Sequence, residues 1–233
     1  MNYEMEKWQE ALAWKRKLIR KPSMFARMSK STQTKVQKLI PQKAHEVITQ
    51  SIKQMVELTM TSSEYLPKSN YHDERSFQEK ELLIQEKLKS YKKMAALEGA
   101  GTGAGGLILG IADFPLLLAI KMKFLFEIGA IHGLDTKSKE ERVFLLTIFQ
   151  LAFSSEAERE NILGRIEGWQ ERENVSIDWQ KWQQDYRDHI DLVKMLQLVP
   201  GIGAVVGAYA NYHLLDLLGE TAIQCFRLRL LNQ

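Results

Sequence analysis

The segment from Asp185 to Asp191 holds the densest group of side chains in the sequence that could bind a metal or move a proton. By helical spacing, Asp185, Asp188 and His189 share one face, and a carboxylate four residues from an imidazole could ligate a metal ion. The alternative is an exposed acidic face neutralised by neighbouring basic residues. The common hydrolase, zinc-protease, di-iron and thiol-redox motifs do not occur in the sequence. We therefore predict no catalytic residue, no metal site and no cofactor.

A second candidate for chemistry is the segment from Gly101 to Gly106, which satisfies the dinucleotide-binding pattern G-x-G-x-x-G. That pattern binds a pyrophosphate only where it follows a strand and opens a helix. Here it follows residues 87–98, which are highly charged and helical in pattern, and no Walker-type lysine comes after the glycines. The context argues against nucleotide binding.

The same glycines begin an apolar stretch, Gly99 to Ile120, that is the most unusual part of the composition. A straight helix of this length would extend about 33 Å, enough to cross a bilayer. Pro115 disfavours helical geometry in the residue before it, and Asp113 is suited to cap a new helix there, so we predict a kink at these two residues. The first piece, residues 99–112, would then reach only about 21 Å, which is too short to span a membrane.

A similar run begins at Gly201, where GIGAVVGAYA echoes GTGAGGLILG from Gly101. Small residues four apart allow helix backbones to approach closely, in lipid or in a buried core. We expect the two runs to pack on each other, as the central hairpin of a helical domain or as a hairpin that dips into a bilayer. An alternative is a ligand pocket between them, around Asp113 and Asp216. The glycines predicted to pack are Gly101, Gly105, Gly106, Gly110, Gly203 and Gly207.

The N-terminal part of the chain carries only positive charge between residues 11 and 44, with ten Lys and Arg and no Asp or Glu. A cluster of positive charge attracts the phosphate groups of an anionic membrane surface or of nucleic acid. The alternative is that these residues form only a solvated basic face with no binding role. Tryptophans beside lysines suit a membrane interface, although core packing is the commoner fate of tryptophan. The predicted membrane or partner surface consists of Trp8, Trp14, Lys15, Arg16, Lys17, Arg20 and Lys21.

Apolar residues recur at helical spacing along the chain, and no segment alternates with the period of a strand. We predict an all-α fold of eight or nine helices around the glycine-rich helix pair, including helices at about 3–20, 25–39, 42–60, 155–172 and 201–231. We expect residues 1–72 to form a basic helical region and residues 73–233 to form the glycine-rich core, the two being parts of one continuous domain. Capping boxes at Ser76, Ser138 and Ser155 predict helix starts, and Gly133 a helix end.

The single cysteine, Cys225, excludes an internal disulfide, and the charged first ten residues do not form a signal peptide. Both features favour a cytoplasmic location.

Three blocks of the sequence resemble the EcsC family of bacterial proteins. They are residues 40–58, residues 98–135 with the segment Asp113-Phe114-Pro115, and residues 198–231. Where the family often has Leu-Arg, this chain has Ile120-Lys121. The resemblance implies a link to an ABC exporter, because the founding member lies beside the ATPase and membrane subunits of such a transporter. It implies no established activity and no catalytic residue.

We therefore expect a non-enzymatic accessory protein on the inner face of the cell membrane, contacting lipid or transporter subunits. A small-ligand binder or enzyme using the pocket between the glycine-rich helices is the alternative. Nucleic-acid binding by the basic region is a second and less favoured one. The oligomeric state does not follow from the sequence.

Overall fold

The computed structural model describes residues 2–20, 42–67, 71, 74–103, 114–169 and 203–231. This part of the chain confirms the all-α prediction, since it is helical and contains no strand. The predicted helix at 25–39 lies outside it, so the predicted total of eight or nine stays a prediction. The seven described helices are α1 (Tyr3–Arg20), α2 (Gln42–Thr61), α3 (Phe77–Gly103), α4 (Phe114–Ile131), α5 (Lys139–Phe153), α6 (Glu156–Glu167) and α7 (Gly203–Leu230).

The helix starts follow from local sequence, although their capping differs. At α3, Ser76 N donates to Glu79 Oε2 at 2.8 Å, and Glu79 N donates back to Ser76 Oγ at 3.3 Å, which confirms the first capping box. Ser138 and Ser155 do precede α5 and α6, but neither side chain makes a capping hydrogen bond. The capping-box prediction is therefore wrong about the serine hydrogen bond at α5 and α6. At α5 the return bond of the box is also replaced, because Ser138 N donates to Asp135 O at 2.8 Å. Both carboxylate oxygens of Glu141 accept hydrogen bonds from Arg229 at 2.6 and 2.7 Å.

The end of α4 confirms the role predicted for Gly133, which has φ of 88°. Leu134 N donates to Gly129 O at 2.9 Å and Gly133 N donates to Ala130 O at 3.0 Å. These two bonds define a Schellman motif, in which the residue after the helix takes a left-handed conformation. At the other end of α4, Pro115 is the second residue, where a missing N–H costs nothing.

The two longest described helices, α3 and α7, form an antiparallel pair. They pack more extensively on each other than any other two described elements. At their closest approach, a Cβ built on Gly99 would lie 2.4 Å from the carbonyl oxygen of Gly207. Backbones this close require glycine at that level.

Helices α4 and α5 supply most of the core around this pair. Every residue of α5 from Arg142 to Phe153 is buried, as are Phe124 and Phe126 of α4. A helix that is apolar on all sides is typical of such a position. Helix α2 adds Ile48, Ile52 and Met55 to the same core.

Arg142 joins α2 to α5 and is only 6% exposed. Its Nε donates to Thr136 O at 2.9 Å, and its Nη1 donates to Thr59 O at 3.1 Å and to Ser62 O at 2.9 Å. The guanidinium thus satisfies carbonyl groups that the end of α2 leaves without a helical partner. No helix in the described ranges is both long and apolar enough to cross a membrane.

Candidate functional site

A concavity in the described part of the chain lies between α3 and α7. Its volume is about 360 Å³, and it opens to solvent. The register of the two helices places an ion pair at each end, Glu81 with Arg227 and Lys92 with Asp216. We call this concavity the α3/α7 groove; it is lined by Gln85, Leu88, Asp216, Glu220, Ile223, Gln224 and Arg227.

One end of the groove is closed by a buried network centred on Arg227. Its Nε donates to Glu81 Oε1 at 2.6 Å and its Nη2 to Glu81 Oε2 at 3.0 Å, while Nη1 reaches Glu10 Oε2 at 2.8 Å. Tyr3 Oη donates to Glu81 Oε2 at 2.6 Å. Glu81 and Arg227 are 5% and 7% exposed. The network therefore fastens α1 to the α3/α7 pair.

The charges in this network are mutually compensated. Burial alone would lower the pKa of Arg227, but the carboxylates of Glu81 and Glu10 hold it above its usual value. Burial and the hydrogen bond to Glu81 raise the pKa of Tyr3 well above that of a free tyrosine. Arg227 stays charged and Tyr3 stays protonated at any physiological pH, so neither is suited to move a proton.

The other end of the groove is more open. Lys92 Nζ donates to Asp216 Oδ1 and lies 4.2 Å from the centre of the Tyr212 ring. The Asp216 side chain is 46% exposed, and Glu220 follows one turn later on the same face. Two carboxylates one turn apart beside a cavity can accept hydrogen bonds from a cationic or polar ligand. No group of three or more His, Cys, Asp or Glu side chains in the described residues is arranged to hold a metal ion.

A second polar cluster joins α3 to α4 around Glu127. Its Oε1 accepts from Tyr71 Oη and from Lys87 Nζ, the latter at 2.6 Å, and its Oε2 accepts from Tyr91 Oη at 2.7 Å. Burial would raise the pKa of Glu127, but the bonds from Lys87, Tyr71 and Tyr91 together hold it below the usual value. Both carboxylate oxygens are occupied, which suits a structural junction rather than a general base.

The structure brings part of the predicted glycine set to the α3/α7 pair. Gly207 contacts α3 opposite Gly99, a residue that sequence reasoning did not single out for packing. Pro115 is the second residue of α4, but residues 104–113, including the predicted cap Asp113, lie outside the described part, so the kink stays a prediction. Gly101 lies in α3 and Gly203 in α7, while Gly105, Gly106 and Gly110 fall outside the described part, so packing through these five glycines stays a prediction.

The predicted basic surface is divided between the core and solvent. Trp8 and Trp14 are half-buried and pack against the core. Lys15 donates to both carboxylate oxygens of Glu167, at 2.6 and 2.8 Å. Solvent-exposed members of the set are Arg16, Lys17 and Arg20, and Lys21 lies outside the described residues.

Sequence reasoning missed Glu81 and Arg227, and it missed the Glu127 cluster. A signal for Glu81 does exist, because it precedes Ile84, Leu88 and Ala95 at the spacing of one buried helix face. A charge at a core position predicts a buried partner. The segment 185–191, with its metal-ligating types, lies outside the described residues.

The amino-acid sequence of the chain is similar to that of a known protein family. A family model described as the EcsC protein family matches residues 5–231. The chain belongs to the EcsC family. This confirms the resemblance seen in the glycine-rich blocks.

Two relatives in Bacillus subtilis (strain 168) show how far the likeness extends. The chain is 54% identical to Protein EcsC over 225 residues, covering 97% of this chain and 95% of that protein. It is 34% identical over 147 residues to the uncharacterised protein YdbA, covering 60% of this chain and 54% of that protein. No solved structure matches the chain.

Proposed function

We propose that this EcsC-family protein is a non-enzymatic accessory protein on the cytoplasmic face of the membrane, where it acts beside an ABC transporter. The observation that carries the proposal is the exposed basic end of α1, with Arg16, Lys17 and Arg20 facing solvent. Within the described residues, none of the three has a carboxylate partner at ion-pair distance. Free cationic side chains of this kind attract an anionic surface, by about 1 kcal/mol per residue at a membrane.

The polar clusters support a role in binding rather than catalysis. The network of Arg227 and the cluster of Glu127 have their charged groups engaged with each other. Groups held in this way stabilise the fold, whereas a general acid or base needs a pKa near the working pH and a free position for substrate.

Cell fractionation tests the membrane location. We expect the protein to sediment with membranes after nuclease treatment, and to be released by high salt to the extent that the basic end of α1 holds it. A triple variant, Arg16→Gln, Lys17→Gln and Arg20→Gln, should move toward the soluble fraction. The matched control Lys53→Gln, Lys137→Gln and Lys139→Gln removes the same charge from other exposed positions and should not.

Two results of this fractionation decide against the proposal. Complete recovery of the wild type in the soluble fraction at low salt contradicts membrane association. Release by nuclease alone supports the alternative, nucleic-acid binding by the basic region.

The transporter association needs a separate experiment. A photoreactive amino acid introduced at Arg16 or Lys17 should crosslink in cells to subunits of an ABC transporter, whereas the same group at Lys137 should not. Crosslinks from Arg16 or Lys17 to lipid alone would support the membrane location and contradict the association with a transporter.

A second candidate function is small-ligand binding in the α3/α7 groove, favoured by the cavity beside Asp216 and Glu220. Its carboxylates suit a small amine, and spermidine is a convenient probe. A bound ligand raises the unfolding temperature by mass action, and Asp216→Asn with Glu220→Gln should abolish that rise. An equal response in this double variant and the wild type would show that the probe binds elsewhere.

A further inference from the structure

Helix α1 has a shallower apolar contact with the core than the other described helices. Only one of its 18 residues, Ala11, is buried, whereas the 12-residue helix α6 has three buried residues. The remaining apolar contacts of α1 come from side chains that are half-buried against the core, namely Trp8, Leu12, Trp14, Leu18 and Ile19. Polar contacts therefore supply an unusually large part of the attachment of α1.

In the described residues, two ion pairs join α1 to other helices, and neither would leave a buried charge unpaired if α1 separated. Glu10 accepts from Arg227 Nη1 at 2.8 Å, but Arg227 also donates to Glu81 at 2.6 and 3.0 Å, and those two bonds do not involve α1. Lys15 pairs with Glu167, and the two side chains are 30% and 28% exposed, so water can solvate both. The chief cost of breaking a buried ion pair, an uncompensated charge, is thus absent.

The side of α1 that faces the core is also suited to a lipid surface. By helical spacing, Trp8, Leu12 and Ile19 share one face, and Arg16 and Arg20 border it. Residues 11–20 include no Asp or Glu. An apolar face that contains tryptophan and is bordered by arginine is typical of a helix lying in the boundary between headgroups and acyl chains of an anionic bilayer. The same side chains can therefore be covered by the core or by lipid.

We propose that α1 separates from the core on an anionic phospholipid surface and buries Trp8, Leu12 and Ile19 in the bilayer. This inference rests on the proposed membrane location and specifies how α1 acts there. With α1 docked on the core, only its exposed basic side chains reach the lipid phosphates. The released helix adds its apolar face to that contact. Because lipid binds the released form more tightly, it shifts the equilibrium towards release.

A distance measurement tests the release. Cys225 is fully buried, so spin labels can be attached to cysteines that replace Gln9 of α1 and Glu86 of α3, both of which are exposed. On binding to vesicles that contain phosphatidylglycerol, the distance between the two labels should increase by at least the diameter of a helix, about 10 Å. Labels at Glu86 and Glu220, which lie on α3 and α7, should keep their distance.

A covalent tether tests whether release is needed for binding. In the variant Lys15→Cys with Glu167→Cys, the two cysteines replace side chains that are in contact, so a short bis-maleimide can join them. The joined protein should bind anionic vesicles at least tenfold more weakly than the same variant capped with N-ethylmaleimide, since each large apolar side chain buried in lipid contributes about tenfold. The control Glu86→Cys with Ser90→Cys, bridged one turn apart on α3, should bind equally well joined or capped.

Weakening the attachment of α1 should have the opposite effect. The variant Glu10→Gln with Lys15→Gln removes both ion pairs and leaves the net charge unchanged. It should bind anionic vesicles roughly tenfold more tightly, because each partly exposed pair favours the docked form by up to about fivefold and the docked form lowers the apparent affinity. The control Glu86→Gln with Lys89→Gln is also neutral overall, changes only α3, and should bind as wild type.

The outcomes separate this inference from the proposal on which it rests. If the wild type binds vesicles while the distance between residues 9 and 86 is unchanged, α1 binds lipid in its docked position, so the inference is overturned and the membrane location stands. Equal binding of the joined and capped proteins leads to the same conclusion. If neither the wild type nor the Glu10 and Lys15 variant binds anionic vesicles, direct lipid contact by α1 is excluded in both forms. Equal circular-dichroism spectra without vesicles establish that the variants are folded.

Discussion

Adding one methyl group at Gly99 should destabilise the protein, although alanine is a better helix former than glycine. The new Cβ would lie 2.4 Å from the carbonyl oxygen of Gly207, 2.6 Å from its carbonyl carbon and 2.7 Å from Asn211 Nδ2. The first two are backbone atoms of α7, which cannot rotate away as a side chain can. Ordinary contact begins at 3.4 Å, so α3 and α7 would have to separate locally by about 1 Å.

The expected magnitude is a balance of two terms. Replacing glycine by alanine within a helix contributes up to about 1 kcal/mol of stability. Overpacking costs about 1–3 kcal/mol, and a gap approaching 1 Å also forfeits up to half of the dispersion energy of the contacts it opens. Because the obstacle is backbone, we expect the upper end of that cost and a net loss of about 2 kcal/mol. For a protein of this length that lowers the unfolding temperature by about 4–8 °C.

Two other glycines provide the matched series for this experiment. A Cβ on Gly164, exposed on α6, would meet nothing within 4 Å, so Gly164→Ala should raise stability by about 0.5–1 kcal/mol. A Cβ on Gly219 would lie 2.4 Å from Leu88 Cδ1, the end of a flexible side chain, so Gly219→Ala should fall between the two. Urea unfolding followed by far-ultraviolet circular dichroism measures all three. If Gly99→Ala is as stable as wild type while Gly164→Ala is stabilised, the close approach of α3 and α7 is refuted.

Three further predictions concern the buried charges and the cysteine. Arg227→Leu should lower the free energy of unfolding by about 3–5 kcal/mol, because it leaves Glu81 buried without its partner. Adding Glu81→Leu should recover most of that loss in a double-mutant cycle. A double variant no more stable than the single one would contradict this. The folded-state pKa of Glu127 is below the ordinary 4.5, so its contribution to stability is complete above that pH and is lost as the pH falls through the lowered value. Lys87→Met, which removes one cause of the lowering, should therefore move the acid-unfolding midpoint to higher pH, and an unchanged midpoint would count against the assignment. Burial raises the pKa of the Cys225 thiol, so a thiol reagent such as Ellman's reagent should react at the rate of unfolding rather than at the rate of an exposed thiol.

Local pattern predicted where the described helices lie, because helix starts and ends depend largely on neighbouring residues. The predicted end at residue 172 is wrong, since α6 ends at Glu167. Apolar spacing placed α1 at residues 3–20, and the reciprocal bonds of Ser76 and Glu79 follow directly from their separation. The same pattern misjudged the capping box at Ser138, where the Glu141 carboxylate instead forms a bidentate pair with Arg229, 88 residues away in the sequence. A local rule cannot anticipate such a distant competitor.

The α3/α7 groove depends on the register between two helices that are distant in the sequence, and hydrophobic periodicity does not specify that register. The echo between the two glycine runs indicated that they would pack together, and the described contact joins Gly207 of the predicted set to Gly99, which the set did not include. The spacing of Glu81 marks it as a charge on a buried helix face, but it does not identify Arg227, 146 residues later in the sequence, as the partner. The tryptophans of α1 illustrate the same limit, since composition allowed either lipid or core, and the described contacts are with the core.

The fastening of α1 by Arg227 also constrains when the protein can fold during its synthesis. Glu10 and Arg227 are 217 residues apart, and α7 is the last of the described helices to leave the ribosome. At 5–20 residues per second, the 146 residues from Glu81 to Arg227 take roughly 7–30 s to make. Throughout that interval the apolar face of α3 has no α7 to cover it, so the nascent chain carries an exposed helix face that a chaperone, or the membrane itself, could occupy first.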